Sequence, residues 1–227
     1  MLHLIVLIPA YNEAQTVGKV IATLPDKLAG VDHIDVVVID DGSTDATMIE
    51  AKQKGAKVIR HVLNRGLGAA LGTGFQYALN CQCDMVITFD ADGQHHPKDL
   101  TRLLAPLISK KADVVIGSRL LGGEAMPPLR KMINIFSNMV TWLLFGVSTT
   151  DSQSGLRAFS KEALKKMHIR SEKMEVSSEI FHEIGRLKLR KIEVPIRSIY
   201  TEYSLAKGQR LTNAPHVLWK LFLQRFS

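Results

Sequence analysis

The 227-residue sequence predicts an α/β domain: one mainly parallel sheet with helices on both faces. Three observations lead there. Strand-like and helical patterns alternate through the first half of the chain, at lengths suited to strand–helix–strand units. The strand-like runs are almost continuously apolar, as in strands covered on both faces. Clusters of polar residues follow several of those runs, and open parallel sheets bind ligands outside the carboxyl ends of their strands.

The elements follow in order. Leu4–Ile8 is an unbroken aliphatic strand, and apolar periodicity over Glu13–Leu24 predicts the first helix. The β-branched run Ile34–Asp40 and a helix over Thr44–Lys54 come next, then a short strand, Lys57–His61. Glycines open a helix at Gly68–Leu79, which leads to a strand at Met85–Phe89. A helix over Pro97–Ile108, with proline at its start, and a strand at Asp113–Gly117 close the regular half. Beyond lie a Gly/Pro-rich loop (Leu121–Pro128) and an amphipathic helix over Met132–Val147. The segment Thr149–Phe159 leads to a short helix from Lys161, and another helix covers Ser177–Arg186. The strand-like Lys191–Ile199 then precedes a polar loop, Tyr200–Thr212. No repeat, linker or low-complexity stretch divides the chain, so one domain, 1–227, is expected.

Composition narrows the partners. Hydrophobic residues make up 46% and charged residues 22%, which is ordinary for a folded globule. A net charge of +7 suits nucleic acid, an anionic lipid surface or a phosphorylated small molecule. No basic stretch interleaved with aromatics, zinc-finger spacing or helix-turn-helix pattern is present, so no nucleic-acid partner is expected. Cys81 and Cys83 are too few for a disulfide framework and fit a reducing compartment. The first residues lack a basic region and a cleavage site, and no run reaches the ~20 apolar residues of a membrane span, so a cytoplasmic location is expected. Met132–Val147, preceded by Arg130 and Lys131, and Ala214–Phe226 each suit either core packing or an interfacial helix on a membrane surface.

The sharpest chemistry lies in V-I-T-F-D-A-D-G-Q-H-H, Val86–His96. Alternate residues of an extended strand face one way, so Asp90 and Asp92 can converge, and such a carboxylate pair suits a hard divalent ion, Mg²⁺ or Mn²⁺. The plainer alternative is that both aspartates cap the helix near Pro97. Gln94 is a further candidate for the metal or a pyrophosphate, whereas His95 and His96 point to opposite sides and lack a third zinc ligand. In Asp40-Asp41-Gly42-Ser43, Ser43 or Thr44 can cap a helix, while Asp40 or Asp41 suits a base N–H or a ribose hydroxyl. Asn64–Ala70 fits neither a P-loop nor G-x-G-x-x-G, and its glycines suit close packing at a turn, with Arg65 within reach of a nucleotide. Arg119 and Arg157 can each fork onto phosphate or form an ion pair.

Taken together, P-A-Y-N-E, V-I-D-D-G-S-T-D, F-D-A-D-G-Q-H-H-P, I-G-S-R, D-x-x-S-G-x-R-A-F and E-V-P-I resemble family 2 glycosyltransferases. The nearest resemblance is to dolichyl- and polyprenyl-phosphate sugar transferases, and it spans Leu4 to Gln209. The resemblance implies a Rossmann-like GT-A fold, a nucleotide-diphosphate sugar donor (UDP or GDP), Mg²⁺ or Mn²⁺, and inversion at the anomeric carbon. It implies a nucleotide-sugar half over 1–119 and an acceptor half over 120–227. Pro9, Ala10, Tyr11 and Glu13 would line the nucleotide pocket, with Asp41 near base and ribose. Asp90, Asp92 and Gln94, around Ala91, would hold the metal against the diphosphate. Arg119 would meet phosphate, and Tyr203, Lys207 and Gln209 fall in the loop that closes over the substrates.

A polyprenyl-phosphate acceptor arrives ionised and needs no general base. A glycan hydroxyl needs one, for which Asp151 is the first candidate and Glu175 or Glu179 the next. Two features depart from the polyprenyl members: no C-terminal membrane helix is expected, and Y-S-L-A-K-G-Q replaces their R-x-x-G-x-S-K loop. Membrane contact is then peripheral, and mannose is not assigned. A sugar nucleotidyltransferase is the rival of another class, but the first loop, P-A-Y-N-E, lacks the glycine-rich basic character that holds a triphosphate. A binding module without turnover leaves both metal carboxylates unexplained.

Overall fold

The computed structural model describes residues 1–123 and 126–199. Its strands, in chain order, are β1 (His3–Ala10), β2 (His33–Asp40), β3 (Lys57–Arg60), β4 (Met85–Thr88), β5 (Val114–Ser118), β6 (Arg157–Ser160) and β7 (Lys191–Pro195). They form one sheet in the order β3-β2-β1-β4-β6-β5-β7. All pairings are parallel except those of β6, which runs antiparallel to both neighbours.

The helices are α1 (Val17–Thr23), α2 (Thr47–Gln53), α3 (Leu67–Asn80), α4 (Asp99–Ile108), α5 (Pro128–Phe145), α6 (Lys161–Lys166) and α7 (Val176–Arg186). β1 shows how they are held. Leu4, Val6 and Ile8 pack with α1, α2 and α4, while Ile5 and Leu7 face α3, α6 and α7. Alternate side chains thus feed two separate cores, which is why the strand reads as unbroken apolar sequence. α3 lies so close to β1 that a Cβ at Gly74 would fall 2.3 Å from the Leu7 methyls.

The parallel half matches the sequence expectation in element type and order, and three helices start two or more residues later than expected. α1 begins at Val17 rather than Glu13, because the Glu13 amide donates to Thr47 Oγ1 at 2.8 Å and holds the preceding turn against the next loop. α2 begins at Thr47 rather than Thr44, because residues 43–45 bond across to Asn12 and back to Thr47. α4 begins two residues past Pro97, at Asp99.

In the second half β6 is new. Arg157–Ser160 was expected only as the approach to a helix, yet it inserts between β4 and β5 and binds the second half into the same sheet. β7 stops at Pro195, short of the expected Ile199, since proline cannot continue a ladder. The amphipathic helix is longer than expected, starting at Pro128, and ends in left-handed Gly146. No helix among the described residues is long and apolar enough to cross a membrane.

Candidate active site

The polar clusters gather at one rim, beyond the carboxyl ends of β1, β2 and β4. Ala10 pairs with Asp40 at the last register of β1 and β2, so the two following loops start side by side. They are tied to each other: Asn12 N donates to Ser43 Oγ at 2.9 Å, and Thr44 N donates to Asn12 Oδ1 at 2.9 Å. Asn12 takes φ 53°, a left-handed conformation that asparagine tolerates better than most residues. Pro9 is half-buried and Tyr11 stands 42% exposed at this rim, while Glu13 is buried and accepts from Thr16 Oγ1.

Asp40, the last residue of β2, and Asp41 just after it are both buried and engaged inside the protein. Asp40 Oδ1 accepts from Ser43 N at 2.9 Å, with Arg60 Nε 3.3 Å from Oδ2. Asp41 accepts from Arg65 N, from Gly66 N and from the His61 ring. Its first task is therefore to hold the 64–66 turn. Gly42 lies beneath that turn, where a Cβ would come within 2.5 Å of the Leu63 carbonyl carbon. Gly66 and Gly68 also serve packing: Cβ atoms there would meet the Glu172 and Ser171 carbonyl oxygens. Arg65 pairs with Glu172 at the surface.

Beyond β4 the chain turns through Asp90, Ala91, Asp92 and left-handed Gly93. Ala91 buries its methyl in the core, leaving the carboxylates on either side of it at the rim. Burial raises the Asp90 carboxyl, but the His95 hydrogen bond and the Arg119 and Arg157 charges outweigh it and leave Asp90 below its ordinary value. Burial and the Asp90 charge push Asp92 the other way, above its ordinary value, against hydrogen bonds from Gln94. Asp90 is thus close enough to disturb the ionisation of Asp92, and two neighbouring carboxylates could offer oxygen ligands to a divalent cation. Gln94 donates to Asp92 through both its backbone and side-chain nitrogens.

Asp90 is fixed from two sides. His95 Nε2 lies 2.8 Å from Asp90 Oδ2, and the His95 ring meets Phe89 edge-on. Gly155 backs onto the carboxylate so closely that a Cβ would fall 2.2 Å from Oδ2, and Thr88 Oγ1 anchors the Gly155 carbonyl at 2.6 Å.

Two arginines stand within electrostatic reach of Asp90. Asp151, 0% exposed, accepts from Arg119 N at 3.0 Å, Nε at 2.7 Å and Nη2 at 2.8 Å, and from Asn134 Nδ2 at 2.7 Å. Burial opposes ionisation there, and the Arg119 and Asn134 hydrogen bonds hold the Asp151 carboxyl below its ordinary value all the same. Both Asp151 oxygens are therefore engaged with Arg119 and Asn134. Arg157 is buried, donates to the Ser152 carbonyl and lies over the Phe181 ring. Burial lowers its guanidinium to about 10, with the charges of Asp151 and Asp90 working against the shift.

The glutamates weighed as bases do not form a solvated helix face. Glu175 and Glu179 are both buried, and Glu179 accepts from the Arg170 and Ser171 amides at 2.8 and 2.9 Å. Glu179 thereby shapes the 170–172 loop that packs on Gly66 and Gly68. Tyr203, Lys207 and Gln209, like the Ala214–Phe226 segment, lie outside the described residues.

The family model for glycosyl transferase family 2 matches residues 5–167. This chain belongs to that family. As a family 2 glycosyltransferase it is 36% identical to a UDP-N-acetylglucosamine–dolichyl-phosphate N-acetylglucosaminyltransferase of Methanococcus voltae, over 96% of this chain and 94% of that one. It is 33% identical to an undecaprenyl-phosphate mannosyltransferase of Micrococcus luteus, over 91% and 87%. Glucosyl-3-phosphoglycerate synthase from Mycobacterium tuberculosis, solved with Mn²⁺ and UDP-glucose, superposes with a TM-score of 0.73. That match covers 98% of this chain and 78% of the other at 21% identity, and it places the glycosyltransferase in the GT-A fold.

Sequence reasoning missed several of the enzyme's supporting residues. Asn134 lies within the amphipathic pattern of Met132–Val147, and a polar side chain there was the available signal for a buried partner, here Asp151. Gly155 carried a signal only as part of S-G-L-R, and His95 only by its spacing from Asp90.

Proposed function

We propose that this glycosyltransferase moves a sugar from a nucleotide-diphosphate donor to a polyprenyl phosphate at the cytoplasmic membrane surface, using a divalent metal. One observation carries the reading: Asp90 and Asp92 follow β4 at the sheet rim, Asp90 disturbs the ionisation of Asp92, and the charges of Arg119 and Arg157 act on Asp90, a combination suited to a metal-bound diphosphate. The donor set is all oxygen, and Gly155 leaves the space that the Asp90 carboxylate occupies, so these residues fit Mg²⁺ or Mn²⁺. Asp90 and Asp92 would hold the ion, with Gln94 steadying Asp92 rather than replacing it as ligand. When bound, the ion supplies Lewis-acid neutralisation of the departing nucleoside diphosphate. Arg119, aimed by Asp151 and Asn134, adds fixed positive charge where the leaving group gains negative charge. Pro9, Ala10, Tyr11, Glu13, Asp40 and Asp41 would form the nucleotide side; Tyr203, Lys207 and Gln209 are assigned to substrate closure by the family resemblance alone.

The acceptor follows from proton bookkeeping. Asp151 and Glu179 have both oxygens occupied, which disfavours them as bases for a hydroxyl acceptor. A phosphate monoester arrives ionised and asks for no base. The relatives from Methanococcus voltae and Micrococcus luteus are named for dolichyl and undecaprenyl phosphate, in agreement. α5 offers a surface for such a lipid: Met132, Ile135, Phe136, Met139 and Trp142 are 49–68% exposed, behind Arg130 and Lys131 at its start. An amphipathic helix of that kind lies in a membrane interface.

Calorimetric titration of UDP- and GDP-sugars, with Mn²⁺ and with EDTA, tests the donor side. Metal-dependent binding of one nucleotide, lost in Asp92→Asn, is the expected result. Equal binding in EDTA contradicts the metal assignment, and no binding of any sugar nucleotide contradicts the transferase reading.

A further inference from the structure

At the opposite end of the sheet, where β1 and β2 begin, His3, His33 and Asp35 bring one ligand atom each within 4.8 Å of one another. We propose that they form a second metal site, for Zn²⁺, separate from the substrate rim.

Strand register builds the cluster. His3 and His33 are direct partners in the parallel β1–β2 ladder, and Asp35 lies two residues along β2, so all three side chains leave the same face. That face continues through Ile5, Leu7, Val37 and Ile39, which are buried under α3. The three polar residues extend it just past the core. His3 Nε2 lies 3.0 Å from Asp35 Oδ2, His33 Nε2 lies 3.2 Å from Oδ1, and the two rings are 4.9 Å apart. Ligand atoms around tetrahedral Zn²⁺ are separated by about 3.3 Å, given bonds of about 2.0–2.1 Å. The two His–Asp separations already match this, while the imidazole nitrogens, within 4.8 Å, draw together by up to about 1.5 Å.

The chemistry selects the ion. Two imidazoles and one carboxylate favour Zn²⁺ over Mg²⁺ and Mn²⁺, which prefer oxygen alone. Each imidazole must carry its proton on Nδ1, freeing the Nε2 lone pair, and metal bonds then replace the His3 hydrogen bond and the His33 contact with Asp35. His33 and Asp35 are 65% and 41% exposed, so water can complete the fourth position. Lys57 feels the Asp35 charge, but its ammonium sits 4.9 Å from the centre of the Tyr77 ring. The ion would clip the start of β1 to the start of β2. From His3 to Ala10 the strand runs about 23 Å at about 3.3 Å per residue, so this clip stands well away from the substrates.

The test is calorimetric titration of tag-free protein with Zn²⁺ alone, with Co²⁺ absorption as a geometry readout and thermal unfolding in Zn²⁺ or EDTA. Wild type is expected to bind one Zn²⁺ at this site, show tetrahedral Co²⁺ bands and melt at higher temperature with Zn²⁺. His33→Ala is expected to weaken that binding by more than the roughly 10- to 100-fold cost of losing an outer-shell partner, and to abolish the thermal shift. Asp92→Asn is expected to keep both. Sugar transfer is expected to be unchanged in His33→Ala. Absence of saturable Zn²⁺ binding, or binding that survives His33→Ala and vanishes in Asp92→Asn, overturns the proposal.

Discussion

Replacing Gly155 with alanine puts a methyl group where the Asp90 carboxylate lies. The new Cβ would stand 2.2, 2.3 and 2.5 Å from Asp90 Oδ2, Oδ1 and Cγ. Ordinary contact begins near 3.4 Å, so the carboxylate must retreat by about 1 Å. It has little freedom to do so, since His95 holds Oδ2 at 2.8 Å and the Thr88 bond holds the Gly155 backbone. A misplacement on this scale costs about 10²-fold in rate, or roughly 2.7 kcal/mol of transition-state stabilisation. Overpacking adds about 1–3 kcal/mol of lost folding stability. Turnover, Mn²⁺ titration and urea unfolding of Gly155→Ala read the three effects separately. Gly72→Ala is the control: nothing lies within 4 Å of its Cβ position, and a helical Gly→Ala change gains about 0.5–1 kcal/mol of stability without touching the site. Wild-type turnover and Mn²⁺ affinity in Gly155→Ala would refute the account of how Asp90 is positioned.

Asp151→Asn breaks a buried pair with Arg119, so urea unfolding should show a loss of about 3 kcal/mol or more together with reduced turnover; lost turnover at unchanged stability would mean that Asp151 meets the substrate instead. Burial works to raise the Glu193 carboxyl, but hydrogen bonds from Lys191 and Thr150 outweigh it and hold it below its ordinary 4.5. Its stabilising contribution is therefore full above 4.5 and lost as pH falls through the lower folded value. The stability gap between wild type and Glu193→Gln should be large at neutral pH and close on acidification, and a gap that widens in acid would contradict this sign. Cys81 is exposed, whereas burial pushes the Cys83 thiol up to about 12. One thiol should react with a disulfide reagent in the native protein and both after denaturation.

The parallel half of the fold was legible because each of its central strands is buried on both faces, and sequence records that directly as aliphatic runs such as Leu4–Ile8. Asp90 and Asp92 were legible for a related reason, since a polar pair ending such a run has no place in either core. β6 was not. Its four residues include a buried arginine, and both its partners, β4 and β5, are distant in sequence, so no local pattern marks Arg157–Ser160 as a strand. Asp151 illustrates a second limit. Sequence supplied a carboxylate on the second half, but its role depends on Arg119 and Asn134, which reach it from separate elements and occupy its oxygens. The role of Glu179 was hidden in the same way: it was legible as a candidate base, but the amides it satisfies belong to a loop before its own helix.

The most direct measurement of the central claim is nucleoside-diphosphate release from the preferred donor, with and without a polyprenyl phosphate in detergent micelles, in Mn²⁺. The account predicts release that requires both lipid and metal, deposits the sugar in the lipid phase, and disappears in Asp92→Asn. Release that proceeds equally without lipid, or that follows an added glycan hydroxyl while ignoring polyprenyl phosphate, would contradict it.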